Sequence, residues 1–313
     1  MSLPFVVSIM GPTGTGKTDL AVELVSQFPF EIISVDSALV YRGMDIGTAK
    51  PGKETLQKAP HRLIDIIDPD DVYSAASFRN DALAEIKEIT SRGKIPLLVG
   101  GTGLYFRALL EGISELPSAD VSIRKKLEKQ AKELGWQAMH DRLVEIDPVA
   151  GERIHPNDPQ RIERALEVYE ISGKTITSFF EEDQNTDFPY TPINFILEPE
   201  DRSWLHKRLS MRFEQMIGNG LIEEVGKIRD QFDLNIESPS MRLVGYRQVL
   251  SHLQGELDRE AMIEKAVIAT RQLAKRQLTW FRSVKQAHRI ACDKTHNIHE
   301  ILQILNNEEL FLS

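Results

Sequence analysis

Cysteine is nearly missing from this chain: Cys292 stands alone among 313 residues. A single thiol excludes a disulfide framework within the chain and suits a reducing compartment, so a cytoplasmic setting is expected. No apolar run approaches the roughly 20 residues that span a bilayer, and no membrane partner is expected. The N-terminus lacks a basic stretch ahead of its first apolar run, which argues against a secretory leader. Net positive charge is absent too. A formal charge of −9 excludes a protein that is basic all over, although a local basic stripe is enough to hold a nucleic acid backbone. Two further absences bear on chemistry. The apolar strand Lys94–Val99 runs into Gly100-Gly101-Thr102, with no acidic residue of the kind that holds Mg²⁺ in many nucleotide hydrolases and kinases. That counts against ordinary ATP-driven phosphoryl transfer. Nor is there an Asn-Lys-x-Asp guanine signature.

What remains is a globular composition, with 41% hydrophobic and 27% charged residues. At this length one large domain or two are expected, with a sizeable core. The chain is organised around Gly11-Pro12-Thr13-Gly14-Thr15-Gly16-Lys17-Thr18, a full G-x-x-x-x-G-K-[ST]. It follows the apolar run Pro4–Met10 and precedes Asp19–Phe28, where Leu20, Ala21, Leu24, Val25 and Phe28 share one helical face. Strand, glycine loop and helix together make a phosphate cradle of the type found in nucleotide- and ATP-binding proteins. Backbone N–H groups and the helix N-terminus face a di- or triphosphate. Lys17 adds an ammonium, and Thr18 a hydroxyl suited to Mg²⁺.

The next strand, Glu31–Val35, ends in Asp36-Ser37. Strands of an open parallel sheet present their carboxyl ends to the ligand crevice, so both residues are expected to face the glycine loop. On its surroundings in sequence Asp36 reads equally as a catalytic carboxylate or as a helix N-cap or indirect partner of bound Mg²⁺. Residues 38–52 carry three glycines and a Pro-Gly turn, and read as an ordered loop over the phosphate site. His61–Pro69 reads as a short strand and turn, and Ser77–Arg92 as an amphipathic helix. Thr102 is either a helix N-cap or a substrate-facing hydroxyl. From 113 to 185 strand signals vanish, and Ser122–Leu134, Gln137–Asp147 and Pro159–Ser172 read as polar helices rich in i, i+4 charge pairs. Within them Arg161 and Arg164 lie one turn apart, a pattern that also fits a solvated face. Pro192–Pro199 returns to the sheet. The helix Ser203–Ile217 is expected to place His206, Arg208 and Arg212 near the core, and Arg242 and Arg247 flank a glycine-tyrosine pair.

A last long helix is predicted from Glu260 to about Gln286. From Arg271 to Arg289 the chain has six Lys or Arg residues and no acid. At helical spacing Arg271, Lys275, Arg282, Lys285 and Arg289 fall within roughly 80°, with Arg276 off the stripe. Such a stripe with aromatics interleaved suits phosphate tracking and base stacking, or else an acidic partner or plain solvent. His288–Asp293 reads as a final strand and Ile298–Asn306 as a closing helix. The expected fold is therefore α/β, a P-loop-containing parallel-sheet core (1–112 and 190–313) with an all-helical insertion domain (113–189).

Taken together these residues resemble one family, the tRNA dimethylallyltransferases, or tRNA isopentenylpyrophosphate transferases. The resemblance rests on Gly11–Thr18, Asp36-Ser37, Tyr41–Pro51, His61–Asp65, Gly100–Tyr105, Asp158–Arg164, Arg212-Phe213, Gly245-Tyr246-Arg247 and Lys275–Arg282, in order along almost the whole chain. It implies transfer of a dimethylallyl group from its diphosphate to N6 of the adenosine 3′ of the anticodon, in tRNAs reading codons that begin with U. It also implies Mg²⁺ as cofactor and a monomer acting on the tRNA anticodon stem-loop. Carried over residue by residue, Asp36 is the base, Thr102 lies beside it and Arg212 meets the diphosphate bound by Gly11–Thr18. Asp36 and Thr102 themselves, with Ser37, Ala38, Leu39, Arg124, Gln160, Arg161, Arg164, Arg242, Gly245, Tyr246, Arg247, Lys275, Arg276, Trp280 and Arg282, are the implied tRNA contacts. Rival readings are a P-loop small-molecule kinase, an adenylate isopentenyltransferase acting on free AMP or ADP, and a non-catalytic RNA-binding protein.

Overall fold

The computed structural model describes residues 3–114, 116–182, 188–294 and 297–307. The chain forms two compact units, Met1–Leu110 with Pro189–Ser313, and Glu111–Phe188. The first unit begins with β1 (Phe5–Met10), α1 (Lys17–Gln27), β2 (Phe30–Val35), α2 (Lys53–Lys58), β3 (His61–Arg62), α3 (Ala75–Ser91), β4 (Ile95–Gly100) and α4 (Gly103–Leu110). The second holds α5 (Val121–Leu134), α6 (Trp136–Ile146), α7 (Pro148–Arg153), α8 (Pro159–Ser172) and α9 (Ile176–Glu182). The chain then re-enters the first unit with β5 (Thr191–Glu198), α10 (Arg202–Gly218), α11 (Leu221–Phe232), α12 (Tyr246–Leu253), α13 (Arg259–Arg282), β6 (His288–Ala291) and α14 (Asn297–Asn307).

Six parallel strands lie in the order β3-β2-β4-β1-β5-β6. β1 sits inside the sheet, and Val6, Val7, Ile9 and Met10 are wholly buried. A strand covered on both faces reads as a continuous apolar run, as this one does. Burying each such side chain contributes ~1.5–3 kcal/mol. Register decides where chemistry can occur. Met10 pairs with Gly100 and Ile196, and Val35 pairs with Gly100. Gly11, Asp36 and Gly101 therefore leave the sheet side by side at its carboxyl edge.

The first unit has two main apolar clusters. One packs α1 and α14 on the sheet, through Leu20, Leu24, Phe195 and Leu305. The other joins Val40, Tyr41 and Met44 to Phe213, Leu221, Val249 and Met262, so the turn after Asp36 is rooted in a core built by α10–α13. The second unit has its own core around Leu127, Leu143, Ile162 and Leu166. There α8 is set by local signals: Asp158 caps it, Pro159 opens it and Gly173 ends it at φ 70°. Among the described residues, no helix is long and apolar enough to cross a membrane.

Three expectations need correction. The helix α11, never expected, fills the stretch after α10 with Leu221, Val225 and Ile228 inward. On α10 the inward residues are Leu205, Leu209, Phe213, Met216 and Ile217, whereas His206 and Arg208 are exposed rather than near the core. Finally, α13 stops at Arg282, because both the N–H and the hydroxyl of Ser283 donate to Trp280 O and tighten the last turn. Lys285 and Arg289 therefore do not continue the helical stripe. Arg289 lies in β6, where it donates to Glu198 at 3.0 Å and to the Phe281 carbonyl of α13 at 3.3 Å.

Candidate active site

The glycine loop wraps the start of α1. Gly14 and Gly16 hold positive φ of 86° and 83°, a conformation other residues rarely adopt and one that turns loop N–H groups inward. Thr15 Oγ1 and Lys17 Nζ both donate to Pro12 O, at 2.9 and 2.7 Å. Burial pushes the Lys17 ammonium down to about 8, opposed by Asp36 and aided by Arg212. Burial likewise lowers the Arg212 guanidinium, with Asp36 opposing. Cations this short of water are poised to gain an anionic partner.

Thr13 is gripped from two sides. Its N–H donates to Gln277 Oε1 at 2.9 Å, and its hydroxyl accepts from Arg212 at 3.2 Å. The other end of the Gln277 amide donates to Gly101 O at 2.9 Å. A side chain at 101 would place its Cβ 2.6 Å from that nitrogen, so the glycine is demanded by the bridge. Gln277 lies within the stretch Lys275–Arg282 yet was not among the expected site residues. A glutamine amid lysines and arginines gives no signal of its own; only the fold brings it 264 positions back to Thr13.

Asp36 caps no helix. Its Oδ1 accepts from Ala38 N at 2.9 Å and closes a turn, leaving Oδ2 without a hydrogen bond from any of the described residues. Thr102 precedes α4, but its hydroxyl accepts from Ser37 N at 3.0 Å and donates to Ser37 Oγ at 3.3 Å instead of capping.

Two cavities meet at these groups. One, of about 580 Å³, is walled by Lys17, Thr18, Leu39, Lys50, Arg208 and neighbouring loop residues. The other, of about 500 Å³, is walled by Ser37, Ala38, Thr102, Phe213, Tyr246, Arg276 and Trp280, among others. Asp36, Thr13, Thr48, Gly101, Arg212, Met216 and Gln277 line both. The cavity-facing residues of α13 are thus Thr270, Leu273, Arg276, Gln277 and Trp280, on a different face from the expected stripe. Arg276 lines the cavity, while Lys275 and Arg282 are exposed away from it and Arg271 donates to Ser210.

The remaining expected residues are more scattered. Arg242 borders the second cavity and pairs with Glu237, Arg247 is exposed, and Gly245 and Tyr246 are buried. In the second unit Arg124 and Arg164 both bind the buried Glu167, at 2.8 and 2.6 Å. Burial works to raise the Glu167 carboxyl, yet the bonds from Arg124 and Arg164 hold it below the usual range. Arg161 is exposed, 3.3 Å from Asp158, and Gln160 is exposed.

No group of three or more His, Cys, Asp or Glu placed to hold a metal occurs among the described residues. Thr18 on the cavity wall, with bound phosphate oxygens, is a donor set that fits Mg²⁺, which is commonly held by few protein ligands together with phosphates and water.

A parallel sheet with a glycine-rich loop after an inner strand, and two substrate-sized cavities sharing a carboxylate, defines a P-loop protein of the α/β class. The model of the family described as IPP transferase matches residues 39–284. A full-length tRNA isopentenylpyrophosphate transferase from Bacillus halodurans is 37% identical, covering 99% of this chain and 98% of that one, at a TM-score of 0.72. A tRNA delta(2)-isopentenylpyrophosphate transferase from Staphylococcus epidermidis is 35% identical over 97% and 99%, at 0.70. A eukaryotic dimethylallyltransferase captured acting on tRNA is 26% identical over 98% of this chain and 79% of its own, at 0.81. The chain belongs to the IPP transferase family and is a transferase enzyme.

Proposed function

We propose that this enzyme transfers a dimethylallyl group from dimethylallyl diphosphate to N6 of the adenosine 3′-adjacent to the anticodon, in tRNAs reading codons that begin with U, and releases diphosphate. The observation that carries this reading is the placement of Asp36 on the wall common to both cavities. The cavity bearing Lys17 and Thr18 takes the donor, and the one bearing Arg276 and Trp280 takes an adenine drawn out of the anticodon loop. Trp280 offers a stacking face, and extrusion of the base costs a few kcal/mol.

As the allylic C–O bond breaks, its electron pair leaves on the diphosphate. The loop N–H groups, Lys17 and Arg212 face that growing charge. Thr18 would hold Mg²⁺, which when bound supplies further neutralisation of the leaving group. An exocyclic adenine amine is a weak nucleophile, because its lone pair is delocalised into the ring. Asp36 Oδ2, the oxygen not used in its own turn, orients N6 and accepts its proton as the new C–N bond forms. Arg242, Arg247, Lys275, Arg282 and the exposed residues Gln160 and Arg161 of the helical unit grip the stem-loop backbone, Arg124 and Arg164 adding what Glu167 leaves free. The enzyme works as a monomer in the cytoplasm on a dissolved tRNA, in keeping with its lone buried cysteine.

The test is incubation with Mg²⁺ and radiolabelled dimethylallyl diphosphate, beside an unmodified anticodon stem-loop, free AMP, or ATP with small-molecule acceptors. Label in the stem-loop, lost in Asp36→Ala while donor binding persists, is the expected result. Label in AMP alone would assign the adenylate reaction, and ATP consumption without label would assign a kinase.

A further inference from the structure

A loop with no regular structure walls the reacting centre. Gly47 and Thr48 border the adenine-side cavity, and Asp45, Ile46 and Thr48 border the donor side. Such a loop needs an anchor, because backbone N–H groups that a closing wall shuts from water must find partners within the protein. The anchor comes from α11, far along the chain. Glu224 Oε2 accepts from Asp45 N at 3.0 Å and Ile46 N at 2.7 Å, and Oε1 accepts from Gly47 N at 3.1 Å. Three successive N–H groups converging on one carboxylate form a nest filled from within the protein. The Tyr246 hydroxyl donates to the same Oε1. The Tyr246 ring lies so close to Gly47 that a Cβ there would sit 2.4 Å from it. At the other end of the loop Lys50, whose side chain is only 3% exposed, binds Tyr41 O, Asp45 and Asp65.

We propose that Glu224 is a positioning residue that seats residues 45–48 over the junction of the two cavities, and that this seat keeps water from the allylic donor. The inference rests on the donor assigned above. Once the C–O bond weakens, the allylic carbon will accept any nearby nucleophile. If water reaches it, water oxygen forms the new C–O bond, a proton is lost, and the electron pair of the old bond leaves on diphosphate. The products are dimethylallyl alcohol and diphosphate, at the expense of prenylated RNA. Exclusion of such side reactions is what a closed wall provides.

Glu224→Gln keeps the size but turns an amide NH₂ toward backbone N–H groups. Tyr246→Phe removes one bond from Oε1 and leaves the ring on Gly47. With labelled donor and stem-loop, the ratio of alcohol to prenylated RNA is expected to rise at least ~10-fold in Glu224→Gln and by about 2- to 5-fold in Tyr246→Phe, as successive bonds to the seat are lost. A loss of rate with the wild-type ratio in both variants overturns the proposal, since general destabilisation slows both products alike. If Glu224→Gln fails to fold, Tyr246→Phe decides alone. If the wild type labels no RNA, the functional reading falls. Alcohol released from donor alone, compared between wild type and variants, then still reads the seat: a rise supports it and no rise overturns it.

Discussion

Asp36 carries two duties on two oxygens, and this makes them separable. Oδ1 closes the turn to Ala38, a bond that an asparagine carbonyl also accepts. Asp36→Asn is therefore expected to keep the turn and the affinity for an unreactive thio analogue of the donor, while the transfer rate in single-turnover assays falls about 10²- to 10⁴-fold. Lys17 makes a pH signature. Below its depressed value of about 8 the ammonium already carries its proton, so analogue affinity should be flat there. Above it, binding must draw a proton from solvent, and affinity should fall by up to ~10-fold per pH unit until the normal lysine range is reached. Calorimetry across pH checks this, and Lys17→Arg, which does not titrate there, should remove the slope. Both Asp36 and Lys17 were legible in the sequence, because strand ends and glycine loops are local patterns. Gln277 and Glu224 were not. Each acts on backbone atoms, which any sequence supplies, so neither leaves a pattern at its partner's position.

Among the elements, α13 teaches most. Its residues were readable as basic and aromatic, but its working face was not, because the face depends on where the helix ends and what it packs against. A helix continued to Gln286 would align Lys285 and Arg289 with Arg282; the tightened turn at Ser283 breaks that alignment. Arg289 instead binds Glu198 and the end of α13. The face that lines the cavity carries Arg276, Gln277 and Trp280. Gln277→Met keeps the volume and removes both amide bonds, at ~1 kcal/mol each. Analogue affinity is expected to weaken about tenfold, with little change in the affinity of the stem-loop measured by filter binding. The strands were easier to read, since buried parallel strands are short β-branched or apolar runs. α11 went unread because its apolar residues sit among charges, its N-cap position is Gly220, and the neighbouring Asn219 closes α10 instead.

At the scale of the whole molecule, the second unit has its own core and its own buried charge. Glu167→Gln weakens both arginine bonds there, and because Arg124 and Arg164 stay partly exposed the loss is expected to be about 1–3 kcal/mol. A fragment spanning 111–188 is expected to melt cooperatively by circular dichroism, and the substitution to lower its midpoint. The same chain layout governs synthesis. β1 leaves the ribosome well before β5, its partner on one side, which follows only after the entire helical unit has been made. The nascent chain therefore carries an unpaired apolar strand edge through the translation of that unit, while domains generally fold in the order they emerge. Thr13 waits longer still, because the glutamine that holds it arrives 264 residues later. A prematurely terminated chain would keep the phosphate-loop sequence and lack the group that sets it.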